Sequence, residues 1–274
     1  MGRYLLYRMH PFSVGESLRV DIPVDVIRPP SPLADEEWQA LWQHGGFPEP
    51  FLRRDIRFTR RWRALRQDQL TREDIREVVQ VQGLAAMDVL AQILAERSSQ
   101  QLVYSNLAQD IGVAIDTVRR WIGVLEHLHF GIRIRPWFTN VTKALRKEPK
   151  WFLRDWSGVD DEGARAETFV ACHLLKAVDA WTDLGFGRFE LRYLRDKLKR
   201  EVDFLIVRDR KPWCLVEVKT RETSLSDALT HFQKATGARH ALQVVMDLPY
   251  VDADCFVRPD PTVVPARTFL SQLV

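Results

Sequence analysis

The sequence predicts an α/β (α+β) chain in which a helical region precedes an α/β domain. Three observations carry this. Apolar residues recur at helical spacing through much of residues 33–130. Two short runs rich in β-branched residues, 200–207 and 212–219, flank a polar turn at 208–211, as adjacent antiparallel strands do. From about residue 163 the pattern reads helix, three strands, helix, strand, the order of an α/β layer structure.

Taken in order, residues 1–30 look incomplete. They read as a strand at 3–7, a turn Pro11-Phe-Ser-Val-Gly-Glu16 into a short element, and an extended stretch at 20–27. Pro29-Pro-Ser-Pro32 is a break. From Leu33 a helix follows with Trp38, Leu41 and Trp42 on one face, until His44-Gly-Gly-Phe-Pro-Glu-Pro50 interrupts it. Residues 53–66 hold seven arginines and one acid among Phe58, Trp62 and Leu65. Such a helix can grip phosphates, or it can be a solvated face whose aromatics point into the core.

Thr71 and Asp74 begin a helix in capping-box style. Residues 104–112 and 114–128 read as a helix pair. Ser105 can cap its first member, Gly112 can end it, and Asp116 or Thr117 can start the second. With the β segment at 130–135, the pair resembles a winged helix-turn-helix. Arg119 and Arg120 then fall early on the recognition helix and Arg133 and Arg135 on the wing, where they would contact DNA. Many winged helices only pack against protein, and that alternative stays open.

A basic loop (Lys143, Arg146, Lys147, Lys150) leads into residues 151–156, a candidate strand. Residues 163–175 form an amphipathic helix with Glu167 near its start, where a glutamate suits the helix dipole. His173 reads as a packed helix residue. Residues 189–194 read as a strand, and Arg195, Lys197, Lys199 and Arg200 follow it. Beyond Lys219, residues 224–238 are helical, 241–246 and 255–257 are strands, and 265–274 a last helix.

At 274 residues, 46% hydrophobic and 28% charged, the chain has the makeup of a soluble protein with core enough for two or three domains. No run of about 18 apolar residues marks a membrane span, and the N-terminus lacks a signal-peptide core. Cys172, Cys214 and Cys255 are odd in number and form no ligand-spaced pair, which suits a reducing cytoplasm. The net charge of +3 says little about nucleic acid; its placement says more.

The chemistry gathers at the strand pair. Glu217 and Lys219 project from one side of their strand, and Asp203 lies 14 residues before Glu217 on the preceding strand. Three charges thus stand where the pattern predicts burial. Each buried alone is costly, whereas two carboxylates around a divalent metal beside an ammonium are self-consistent. The alternative is a strand-surface ion pair of Glu217 with Lys219 or Arg221. Arg195, Lys199 and Arg200 lead directly into the acids, and basic charge there fits an approaching phosphate backbone.

This acid–strand–turn–strand–Glu-x-Lys arrangement resembles the PD-(D/E)XK nuclease superfamily, of restriction-endonuclease-like fold, with Val202 where the name-giving proline would stand. The resemblance implies Asp203 and Glu217 as ligands of Mg2+ (or Mn2+) and Lys219 as the lysine that positions the attacking water. It also implies Glu167 as a further metal-site acid. A wider resemblance covers residues 1–250. His44-Gly-Gly-Phe-Pro-Glu-Pro50, the helix pair at 102–128, Trp151-Phe-Leu-Arg-Asp155, Glu167-Thr-Phe-Val170, Glu201-Val-Asp-Phe204 and Val216-Glu-Val-Lys219 succeed one another. Their order is similar to that in the C-terminal region of a prokaryotic AAA-type ATPase family.

That family implies residues 1–30 as the end of an ATPase module, 31–150 as a helical region with a winged helix-turn-helix, and 151–274 as a nuclease-like domain. The chain has no Gly-Lys pair, so the phosphate-cradling G-x-x-x-x-G-K-[ST] loop is absent. No ATP binding is expected, and a separate ATPase module is an expected partner. The functional expectation is a DNA-binding protein with a Mg2+-dependent nuclease-like domain. The alternative is a non-catalytic DNA-binding or interaction module working with a separate ATPase.

Overall fold

Residues 7–70, 83–137 and 148–274 are described by the structure, a computed structural model. Among them the chain forms ten helices and one seven-stranded mixed sheet, a helical N-terminal part followed by an α/β part. The readings at residues 3–6, at Thr71 and Asp74, and at Lys143, Arg146 and Lys147 lie outside the described residues.

Short α1 (Val14–Leu18) starts at Ser13, whose hydroxyl accepts the Glu16 N–H at 3.2 Å. Residues 20–27, expected to be extended, form no strand. Side chains hold the stretch against the C-terminus instead: Arg19 donates to the Ser271 carbonyl (2.8 Å) and Gln272 to the Arg28 carbonyl (3.0 Å). Helix α2 (Asp35–His44) opens on three acids, which its dipole favours, and buries Trp38 and Leu41. After α3 (Pro48–Arg53), Arg54 turns left-handed at φ 51° and Asp55 caps α4 (Ile56–Gln69), accepting the Phe58 N–H at 2.7 Å. The arginine-rich stretch is therefore split across two helices.

Helices α5 (Leu84–Glu96), α6 (Tyr104–Ile111) and α7 (Ile115–His127) close a core of their own around Met87, Leu90, Leu107, Trp121 and Leu125. Gly112 ends α6 at φ 69°, the left-handed conformation glycine takes readily. The expected caps are corrected: Val103 and Ala114 occupy the cap positions and make no side-chain cap bond. Ser105, Asp116 and Thr117 thus lie inside the helices.

The sheet order is β2-β1-β3-β4-β5-β6-β7. Its strands are β1 (Gly131–Pro136), β2 (Lys150–Leu153), β3 (Phe189–Arg195), β4 (Glu201–Arg208), β5 (Lys211–Lys219), β6 (His240–Val245) and β7 (Thr262–Pro265). The segment expected as a wing is β1, which pairs antiparallel with β2 and parallel with β3 and so belongs to the main sheet. The sheet consequently draws on residues either side of position 150. Close β1–β2 packing requires Gly131, where a Cβ would lie 2.2 Å from the Trp151 ring.

Helix α8 (Glu162–Asp183), capped by Asp161, covers one face of the sheet through Phe204, Ile206, Val216 and Leu242. Helix α9 (Asp227–Thr236) covers the other through Leu205, Val207, Leu215 and Ala241. The alternation along β4 and β5 divides these residues between the two helices. The parallel pair β5–β6 is connected through α9. Residues 255–257, read as a strand, are irregular: Cys255 N–H is taken by the Gln272 side chain (2.8 Å) and Phe256 stacks on Trp213. The sheet ends instead with β7, followed by α10 (Ala266–Ser271).

Candidate active site

The β4–β5 ladder runs from Arg208↔Lys211 to Phe204↔Val216, and past that point the Val218 N–H donates to Asp203 Oδ2 at 2.9 Å. On the other flank of β4 the register with β3 shifts, Leu205 facing Arg192 and Val202 facing Leu194. One extra residue of β4 is accommodated there, as in a β-bulge. Val202 therefore joins Leu205 in the α9-side core although the two stand three positions apart, an offset that regular alternation would put on opposite faces. Asp203 is left buried at the end of the paired ladder.

Three further carboxylates and two ammonium groups meet around it. Lys150 Nζ, at the start of β2, lies 2.5 Å from Glu201 Oε1, 3.3 Å from Asp203 Oδ1 and 3.3 Å from Glu167 Oε2. Glu167 arrives from α8, Glu201 and Asp203 from β4. Glu217 Oε1 accepts from Lys219 Nζ at 2.8 Å, while Glu217 Oε2 is buried without a hydrogen-bond partner. Arg195 donates to Glu201 Oε2 at 2.9 Å. With all groups ionised, the four carboxylates exceed Lys150, Lys219 and Arg195 by one negative charge.

That imbalance perturbs the acids. Burial, then the Asp203 charge, pushes the Glu167 carboxyl up to about 8 against the pull of Lys150. Burial, then Asp203, also pushes Glu217 up, to about 7, against the bond from Lys219. Burial disfavours the Lys150 charge, but Asp203, Glu167 and Glu201 outweigh it and hold the ammonium above the usual lysine range. Lys219 is likewise partly desolvated, yet its bond to Glu217 raises it.

The donor set is hard oxygen, as Mg2+ and Mn2+ require, and Glu217 Oε2 is a buried acceptor with nothing donating to it. Among the described residues, no group of three or more His, Cys, Asp and Glu is arranged ready to hold an ion. Three of the acids here converge on Lys150 instead.

The basic candidates divide. Arg195 ends β3 and Arg200 lies on the β3–β4 connection, paired with Glu201 and Asp196 respectively, and Lys199 is exposed on that connection at φ 63°. Arg119 and Arg120 are exposed on α7, Arg119 bonding Asp116 at 3.1 Å. Arg133 is half-buried and held by Glu126, which also accepts its backbone N–H at 2.8 Å. Arg135 is half-buried in β1 beside β3. On α4, Arg63 donates to the Ser157 carbonyl and Arg66 stacks over Phe47 at 3.8 Å. With Arg60 they line a cavity of about 300 Å³.

Sequence reasoning found Asp203, Glu217, Lys219 and Glu167 and missed Lys150 and Glu201 as members of one cluster. Glu201 was legible in principle, two residues before Asp203 on the same strand. Lys150 read as the end of a basic loop, and nothing local tells that β2 carries it under the acids.

Comparison with known proteins divides the chain between β2 and α8. Residues 35–158 match a domain of unknown function (DUF8612) and residues 162–251 another (DUF4143), the latter commonly found in AAA-ATPase-associated proteins. Uncharacterized proteins of Mycobacterium bovis and Mycobacterium tuberculosis are each 25% identical over 204 residues, 69% of this chain and 44% of theirs. The chain thus spans less than half the length of the curated relatives it matches. No solved structure gives a significant match.

Proposed function

We propose that the protein binds DNA and that its α/β part hydrolyses phosphodiester bonds with Mg2+, Mn2+ serving as well. One observation carries the reading. Asp203, Glu217, Lys219 and Glu167, from two strands and a helix, share one mostly buried cluster where the β4–β5 ladder ends. Asp203, Glu217 and Glu167 would hold the ion, which when bound supplies charge neutralisation at phosphate and an acidified water.

Lys219, about one-third exposed, sits on the solvent side of Glu217, where its ammonium can orient water or meet a phosphate oxygen. Arg195, Lys199, Arg200, Arg119 and Arg120 are the basic groups proposed for backbone phosphates. Arg133 and Arg135 are less available for that role. ATP has no part in the proposal; a separate AAA-type ATPase is the proposed partner. The cytoplasm is the proposed compartment, in keeping with three free, buried cysteines. Among the described residues, no helix is long and apolar enough to cross a membrane.

Lys150 favours a second reading, a non-catalytic DNA-binding or interaction module whose acids are neutralised by the protein's own charge. The two separate in one assay: duplex, branched and single-stranded DNA incubated with Mg2+, Mn2+ or chelator. Cleavage with either metal and none with chelator supports the nuclease. Intact DNA of every form, under both metals, supports the module.

A further inference from the structure

We infer that Lys150 is the internal counter-ion of the acidic cluster, standing where a divalent cation would otherwise be needed, and that it gives up Asp203 and Glu167 when the site is loaded. The inference rests on the metal-site reading above and adds a residue that sets the site's affinity.

An ammonium has three donors. Lys150 Nζ has three carboxylate acceptors within reach, Glu201 Oε1 at 2.5 Å, Asp203 Oδ1 at 3.3 Å and Glu167 Oε2 at 3.3 Å, and the residue is 5% exposed. Its donors are therefore directed into the cluster. Two of those three acceptors belong to proposed metal ligands, and a carboxylate oxygen engaged by an ammonium is not free to ligate. The third proposed ligand, Glu217, is not in the Lys150 set and keeps a buried oxygen without a donor. The metal-free protein is thus half prepared: one acceptor stands open and two are covered by a removable charge.

Lys150 also has somewhere to go. Its shortest contact is Glu201, which is not among the proposed ligands and is fixed from behind by Arg195 at 2.9 Å. The Tyr193 ring, on β3, lies 5.9 Å from Nζ, within the range of a cation–π contact. That ring is held in place, its hydroxyl donating to the Glu148 carbonyl at 2.6 Å and accepting from Gln101 at 3.2 Å. Glu201 and the Tyr193 face therefore form a second station for the ammonium. A small side-chain movement frees Asp203 and Glu167 without leaving a buried lysine unpaired, which would be costly. In this account Glu201 is the anchor of that lysine rather than a ligand.

The test is Mn2+ binding by calorimetry on the full chain, comparing wild type with Lys150→Met, which keeps the stem and removes the charge, and Lys150→Arg, which keeps the charge. Lys150→Met is expected to bind Mn2+ at least tenfold more tightly than wild type and to gain more thermal stability from it. Lys150→Arg is expected to bind no more tightly than wild type. A Lys150→Met protein that binds no more tightly, or not at all, overturns the inference. Should that variant fail to fold, the Lys150 Nζ nitrogen resonance of wild type decides: it is expected to shift on Mg2+ addition, and an unmoved resonance overturns the inference. The two levels fail differently. Tight Mn2+ binding that persists in Lys150→Met with Asp203→Asn places the ion elsewhere and contradicts the metal-site reading. Unchanged affinity in a Lys150→Met protein whose binding still needs Asp203 overturns only the role of Lys150.

Discussion

At the scale of single residues, the charges on β4 and β5 are what the sequence made visible, because a strand pattern that expects apolar groups exposes every exception. Lys150 was invisible for the opposite reason, since a lysine after a basic loop is ordinary until its strand is paired into the sheet. Within the site, Glu217 and Lys219 should separate by role. Glu217→Gln is expected to weaken Mn2+ binding at least tenfold, because a hard cation wants ionised oxygen. Lys219→Ala should leave it within a few-fold, an ammonium being no ligand. Calorimetry on the two variants checks this, and equal losses would make the pair an ion bridge only.

His173, expected as a packed helix residue, is one, and its neighbours specify its neutral form. Nδ1–H donates to the Phe169 carbonyl (2.8 Å) and Nε2 accepts the Val14 N–H (3.1 Å). Burial pushes the imidazole down to about 4. The unfolded chain takes up this proton near its ordinary pKa of about 6.5, and the folded chain does so only near the lower value. Stability should therefore be full above about pH 6.5 and fall as pH drops towards 4, by up to about 3 kcal/mol. Urea melts across that interval should lose this slope in His173→Gln; parallel curves for the two proteins would refute the assignment.

At the scale of elements, what the sequence showed well was local periodicity. The hairpin β4–β5, the helices α8 and α9 and the glycine stop of α6 all follow from patterns within a dozen residues. Pairing between distant segments was not legible. β1 and β2 enter the sheet through long-range partners, residues 20–27 find none, and β7 replaces the strand read at 255–257. The helix pair α6–α7 keeps its exposed arginines, whereas Arg133 is engaged by Glu126. Replacing Arg119 and Arg120 by alanine should lower the salt slope of DNA binding by up to about two, one for each phosphate no longer neutralised. Replacing Arg133 should leave that slope unchanged and lower stability instead. Fluorescence titrations between low and moderate salt check both, and an unchanged slope in the α7 variant makes the pair a packing element.

At the scale of the whole molecule, the helical part and the sheet are joined by β1 and β2, so the strand bearing Lys150 is itself tied to the helical region through Gln101 and the α5–α6 connection. Neither matched domain of unknown function contains the acidic cluster complete, for Lys150 lies in the first and Glu167, Glu201, Asp203 and Glu217 in the second. Once Glu167 and Glu217 are ionised, above their raised values of about 8 and about 7, the carboxylates of that cluster outnumber its cations and repel phosphate until a metal ion is present; two such charges about 4 Å apart cost on the order of 4 kcal/mol at an effective dielectric of about 20. Metal should therefore strengthen DNA binding as well as permit cleavage, and removing one carboxylate should uncouple the two. The direct measurement is DNA binding and DNA cleavage side by side for wild type and Glu217→Gln, with and without Mg2+. Wild type is predicted to cleave only with Mg2+ and to bind more tightly in its presence. Glu217→Gln is predicted not to cleave, while binding DNA without metal at least as well as wild type does. Cleavage that survives in Glu217→Gln, or wild-type DNA that stays intact with Mg2+ while binding is indifferent to the metal, would contradict the account.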